Sequence, residues 1–239
     1  MNLPLIRLDE VFHVGQLDPA GREGRKSLEA FLLSVSIDPD EWASIARCGG
    51  PTWSFVRENA NFLDATALDD ATLSMIRDWA IESGYLETTT IWRVWDYDSE
   101  GDAWRYMEFT DEAQARSEAS YIDPEDYGGE IPSATGEPLD PVPGFVLTEA
   151  GMAELERLPS PTMADDGAVI LWARHELLPR EHDLVGIWWN DDHNPEALSC
   201  PRGGIFPERL AAFRIENEYG NTPPATFGLD VDREEIPAP

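Results

Sequence analysis

Val11-Phe12-His13-Val14-Gly15, followed by Ser27-Leu28-Glu29 and then Leu33-Ser34-Val35-Ser36, is the stretch on which the reading of this chain turns. A histidine and a Ser-x-Ser pair stand at the ends of two apolar runs, where side chains of neighbouring strands converge on a cleft. Outward from it, strand-like runs recur at residues 11–14, 31–37, 53–56, 89–95, 103–109, 145–147, 168–173 and 184–189. Helices are fewer. Asp38-Pro39-Asp40-Glu41 supplies an N-cap, a proline at the first helical position and an early carboxylate, with Trp42, Ile45 and Ala46 on one face and Gly49 as the stop. A second helix starts at Asp69 and places Leu73, Ile76, Trp79 and Ala80 at helical spacing before Gly84. Residues 148–158 and a polar segment at 110–120 read as two more. Strands outnumber helices without a regular βαβ alternation, which predicts an α+β, strand-rich fold. A doubly wound nucleotide fold is disfavoured, and the sequence contains neither G-x-G-x-x-G nor a P-loop.

Charge divides the chain. With 47 acidic against 17 basic residues the formal charge is −30, and Lys26 is the only lysine. Such a field repels nucleic-acid phosphates and anionic lipid and attracts basic partners. An acidic, lysine-poor composition also arises across whole proteomes, so the charge alone does not distinguish function from background. From Asp96 to Asp140 only Arg105 and Arg116 oppose the acids, and the segment ends in a Pro/Gly-rich run from Gly128-Gly129-Glu130-Ile131-Pro132 to Pro143-Gly144. The expected organisation is therefore residues 1–95 and 144–219 as two parts of one core, 96–143 as an inserted acidic hairpin and helix lobe, and 220–239 as an extended acidic tail. Chain length allows one large domain or two small ones. No run approaches the ~20 apolar residues of a membrane span. The amino terminus lacks a basic region before its first acids, so a cytoplasmic protein is expected. Cys48 and Cys200 are too few for a disulfide framework.

An apolar strand with an internal His13, a loop, a strand ending in Ser34-Val35-Ser36, a helix from Pro39, then Trp53-Ser54-Phe55 and Phe62-Leu63-Asp64 resembles the opening half of ADP-ribosyltransferase-like domains. The match covers about the first 65 residues. The resemblance implies an ADP-ribosyltransferase-like core with NAD as substrate, His13 positioning the cofactor, and Ser34 and Ser36 shaping the nicotinamide pocket. A toxin or a phage–host effector acting on a macromolecular target would fit.

Cleaving the nicotinamide–ribose bond passes through an oxocarbenium-like state and needs a fixed carboxylate. The segment Asp183-Leu184-Val185-Gly186-Ile187-Trp188-Trp189-Asn190-Asp191-Asp192 is a strand bracketed by acids. It offers Asp183 or Asp192, with Glu29 a further choice, and Trp188 as a ring to stack on the cofactor. As strand neighbours Trp188 and Trp189 face opposite ways, so at least one belongs to the core. In the turn Ser199-Cys200-Pro201-Arg202-Gly203-Gly204, Arg202 is either a phosphate clamp with glycines allowing close approach or a partner of a nearby acid. His175, His182 and His193 lack metal-ligand spacing, and no metal is expected. Asp96-Tyr97-Asp98-Ser99-Glu100-Gly101 resembles an EF-hand start, but its flanks read as a β-hairpin with an acidic tip. The reading from a different class is a non-catalytic acidic inhibitor or interaction protein. Such a protein, of DNA-mimic, anti-restriction or anti-CRISPR type, would bind a basic partner.

Overall fold

A computed structural model describes residues 3–15, 17, 31–45, 49–98, 103–122, 131–155, 163–191 and 200–217. Both helices and strands are present, so the fold is mixed α+β. Two compact units emerge: Met1–Ser74 with Val169–Pro239, and Met75–Ala168.

The first unit holds β1 (Leu5–Val14), β2 (Leu33–Ser36), α1 (Pro39–Ile45) and β3 (Thr52–Asp64), then β7 (Leu184–Trp189), β8 (Arg202–Ile205) and β9 (Arg214–Asn217) from the distal part of the chain. Its strands run β1-β2-β8-β7-β3, and β3 pairs back onto β1, so the sheet closes into a ring with β9 attached to β3. The length of β3 makes this possible. One edge pairs with β1 along Leu5–Val14, while the other is shared, Trp53–Val56 by β9 and Asn61–Asp64 by β7 in parallel. Between the two halves lies a bulge. The β1 register jumps from Leu8↔Ala60 to Glu10↔Val56. Asn59 there adopts φ 54°, a left-handed conformation that asparagine tolerates, and its N–H donates to the Asp9 carboxylate at 2.7 Å. Val11, Val35, Phe55, Phe62, Trp188 and Ile205 are among the buried residues of the core. The helix foreseen at Asp38 is α1, whose first turn is capped by the Asp38 carboxylate accepting from the N–H groups of Asp40 (3.1 Å) and Glu41 (3.0 Å).

The second unit contains β4 (Leu86–Asp98), β5 (Ala103–Phe109), α3 (Glu112–Ala119), β6 (Leu139–Leu147) and α4 (Glu149–Glu154). The unit boundaries fall inside α2 (Asp70–Glu82) and α5 (Ala164–Trp172). The three strands form an antiparallel sheet in the order β5-β4-β6. The expected hairpin is there, running from Trp92↔Phe109 to Asp98↔Ala103. β6 carries Pro141 and Pro143 two residues apart, so both missing N–H groups lie on one edge; this suits a strand at the border of its sheet. Asp111 caps α3, and Thr148 caps α4 through the Gly151 N–H at 3.1 Å.

Several sequence expectations need correction. Residues 168–173, read as a strand, lie in α5 and the π-helical turn Ala173–Leu177 that continues it. All six are buried, so the run has no polar side from which a period could be read; Asp165 and Asp166 in the first turn favour helix. Residues 202–205, read as a turn, are strand β8, and Arg214–Asn217, for which the sequence predicts no element, forms β9. The division at 96 and 143 cuts through β4 and β6; the compact unit spans Met75–Ala168, because both strands extend beyond the acidic segment into apolar sequence. The hairpin tip at 99–102, residues 123–130, the end of the helix foreseen at 148–158 and the 220–239 tail lie outside the described residues.

Candidate functional site

His13, Ser34, Ser36 and Arg202 lie on the adjacent strands β1, β2 and β8, with the His13 side chain on the opposite face of the sheet from the two serines. Phe12 pairs with Ser36 across β1 and β2, Ser36 with Arg202 and Ser34 with Gly204 across β2 and β8. What they do there is architectural. His13 is 6% exposed, and its Nδ1 lies 2.8 Å from the Ser34 carbonyl oxygen. A carbonyl only accepts, so Nδ1 carries the proton and donates. Phe12↔Ser36 is the single register pair joining β1 to β2, so this side-chain bond reinforces the thinnest seam of the ring. The buried Ser36 hydroxyl donates to the Pro201 carbonyl at 2.9 Å and accepts from the Asp38 N–H at 3.1 Å. It ties the end of β2 to the start of β8 and to the entry of α1.

Three expectations about cofactor handling do not fit this geometry. Trp188 is 1% exposed, lies edge-on to Phe62 at 5.8 Å and 71°, and covers Gly203; it is core and offers no face to a nicotinamide ring. Trp189 is buried as well, so both tryptophans are interior. Arg202 donates to the Asp191 carboxylate at 2.6 Å. The glycines beside it make room for protein, since a Cβ on Gly203 would meet Trp188 and one on Gly204 would come within 2.6 Å of Leu32. Asp183 lies at the other end of β7, about 20 Å along the strand from Trp189. Its carboxylate is exposed and pairs with Arg57 at 3.4 Å. The acid that the fold brings to Arg202 is thus Asp191, which the sequence marked only as one of several acids after β7. Glu29 and Asp192 lie outside the described residues, as does His193. His175 and His182 are exposed, and no group of three metal-ligating side chains gathers among the described residues.

The second unit presents a different surface. Strand alternation and the register Arg93↔Glu108, Trp95↔Tyr106, Tyr97↔Trp104 put these six side chains on one face of the β4–β5 hairpin. Trp95 and Tyr106 meet edge-to-face at 4.9 Å, and Tyr97 and Trp104 at 5.4 Å. Arg93 bonds to Glu108 at 3.0 Å and lies 4.7 Å above the Tyr106 ring. Trp92 belongs to the other face, where Arg116 of α3 sits over its ring at 5.9 Å. Farther along the first face, Arg77, Arg93, Glu108, Phe145 and Asp165 line a cleft of about 240 Å³. Arg77 grips Asp165 through two bonds of 2.7 and 2.6 Å there. Among the described residues no helix is long and apolar enough to cross a membrane. The chain has no significant match among protein-family models, curated proteins or solved structures.

Proposed function

We propose that this chain is a non-catalytic acidic binding protein whose partner is a basic protein surface, engaged through the second unit. The observation that carries the reading is a charge concentrated on one body: residues 75–168 hold 22 acidic residues against 5 arginines. Arg77, Arg93 and Arg116 are each held by an internal carboxylate, at 2.6, 3.0 and 2.6 Å, so they neutralise neighbours and leave the excess in place. Asp78, Glu82, Glu87, Asp96, Asp111 and Glu137 are exposed. A partner rich in arginine and lysine, the class to which nucleic-acid-binding proteins belong, would be steered to such a surface.

The NAD-handling alternative retains only the adjacency of His13, Ser34, Ser36 and Arg202 on neighbouring strands, and loses support from the bonds that already occupy His13 Nδ1, the Ser36 hydroxyl and the Arg202 guanidinium. Both readings meet one set of measurements. A cationic peptide should bind the wild-type chain at about 20 mM salt and weaken by tenfold or more near 200 mM, where the Debye length shrinks below 8 Å. Changing Asp78, Glu82, Glu87 and Asp96 to their amides should weaken it several-fold more than the same change at Asp40, Glu58, Asp70 and Glu181 of the first unit. Equal losses from the two sets, or no binding at low salt, would overturn the proposal. A melting temperature raised by millimolar NAD and no longer raised in His13→Ala would restore the transferase reading.

A further inference from the structure

We infer that the hairpin face carrying Trp95, Tyr97, Trp104 and Tyr106 is where an arginine-bearing segment of the partner docks, so that the surface reads guanidinium groups and not positive charge alone. This inference rests on the acidic-binding reading above and assigns its contact surface. Three features support it. The four rings form two edge-to-face pairs, side by side along the hairpin, while the face that carries Trp92 is the one beneath α3. The cluster reaches the surface, with Tyr106 47% exposed and Trp95, Tyr97 and Trp104 half-buried. Finally, the protein already shows the recognition in miniature: Arg93 stacks over Tyr106 at 4.7 Å while its Nε donates to Glu108 at 3.0 Å. A planar cation held between an aromatic face and a carboxylate is the environment that suits guanidinium better than ammonium.

The occupant follows from charge. Aromatic surface exposed on a body with 22 acids and 5 arginines is complementary to a cationic chain and repels an anionic one. Arginine satisfies both halves of that surface, since it is permanently charged and stacks on rings. Lysine supplies the charge, but its compact, strongly hydrated ammonium has no planar face to lay on a ring and engages it more weakly.

Nonaarginine and nonalysine peptides, titrated against the full chain at low salt, separate the two contributions. Wild type should bind nonaarginine roughly threefold to tenfold more tightly than nonalysine, the scale of one or two stacking contacts. Tyr106→Ala and Trp104→Ala should bring that ratio close to one while nonalysine affinity stays unchanged, and Tyr106→Phe should keep the preference. Circular dichroism of each variant identifies any loss that comes from unfolding; Tyr106→Phe leaves the ring in place and gives a second reading of the ratio. A ratio near one in wild type, or one unmoved by both alanine variants while the peptides still bind, refutes the arginine surface and leaves the acidic-binding proposal standing. Absence of binding by either peptide refutes that proposal itself.

Discussion

Replacing Gly203 by alanine tests whether the glycines of β8 serve the core or a ligand. An added Cβ would lie 2.7 Å from the Ile187 carbonyl oxygen and closer still to the Trp188 ring. Neither neighbour can yield cheaply. Ile187 is backbone of the paired strand β7, and Trp188, 1% exposed, is fixed edge-on against Phe62 at 5.8 Å. Overpacking of this kind destabilises by about 1–3 kcal/mol, and a collision with backbone belongs at the upper end. Alanine also restricts the unfolded chain and returns about 0.4–1 kcal/mol. A net loss of about 2 kcal/mol is expected, which for a chain of this size lowers the melting temperature by about 4–8 °C. Gly49→Ala is the control, because nothing lies within 4 Å of the Cβ it would add. Urea titrations followed by near-ultraviolet circular dichroism should show a lower midpoint for Gly203→Ala and an equal or higher one for Gly49→Ala. Equal midpoints for the two variants would mean that the space above β8 is open, and the packing argument would fail.

Three further outcomes are expected. His13→Ala should lose about 2–4 kcal/mol in urea unfolding, combining a buried side chain with the bond to the Ser34 carbonyl; a loss below 1 kcal/mol would remove His13 from the ring closure. A double-mutant cycle on Arg202 and Asp191, where the arginine side chain is only 12% exposed, should give a coupling of about 1–2 kcal/mol, against about 0.3–0.5 for the exposed pair Arg116 and Glu112. Asp69 is held below the usual 3.8 by the Thr72 hydroxyl and then by its N–H, so its contribution is present above that value and is lost as pH falls through the lower native one. The stability difference between wild type and Asp69→Ala should therefore shrink on acidification below pH 3.8, and a difference that grows there would contradict the assignment.

Local signals in the sequence survived folding. The cap at Asp38, the helix after Asp69 and the hairpin between Trp92 and Phe109 are each determined by residues a few positions apart, and all three formed. What stayed hidden depends on distant partners. Gly203 and Gly204 looked like turn residues because the reason for them, Trp188 and Leu32, comes from other parts of the chain. The closure of β3 onto both β1 and β7 has no local signature either. At the early cluster the sequence pointed to His13, Ser34 and Ser36 and not to the backbone bonds they make. His13 binds a backbone carbonyl, and every residue has one, so nothing in the side chains around it announces the bond. The aromatic face needed only the β4–β5 register: once Trp95 is set opposite Tyr106, alternation separates the two sides.

The ring of the first unit has a kinetic consequence. Its parallel seam joins Asn61 to Leu184, and the whole of Met75–Ala168 lies between them in the chain. Closing a loop of about 120 flexible residues instead of about 30 adds about two doublings of length, or about 1.2 kcal/mol of entropy. Prior folding of the inserted unit would remove most of that span from the search. The order of events on synthesis or refolding is thus expected to run from the local hairpins of the insertion to the ring that encloses its two ends in sequence, with β7 and β8 arriving last.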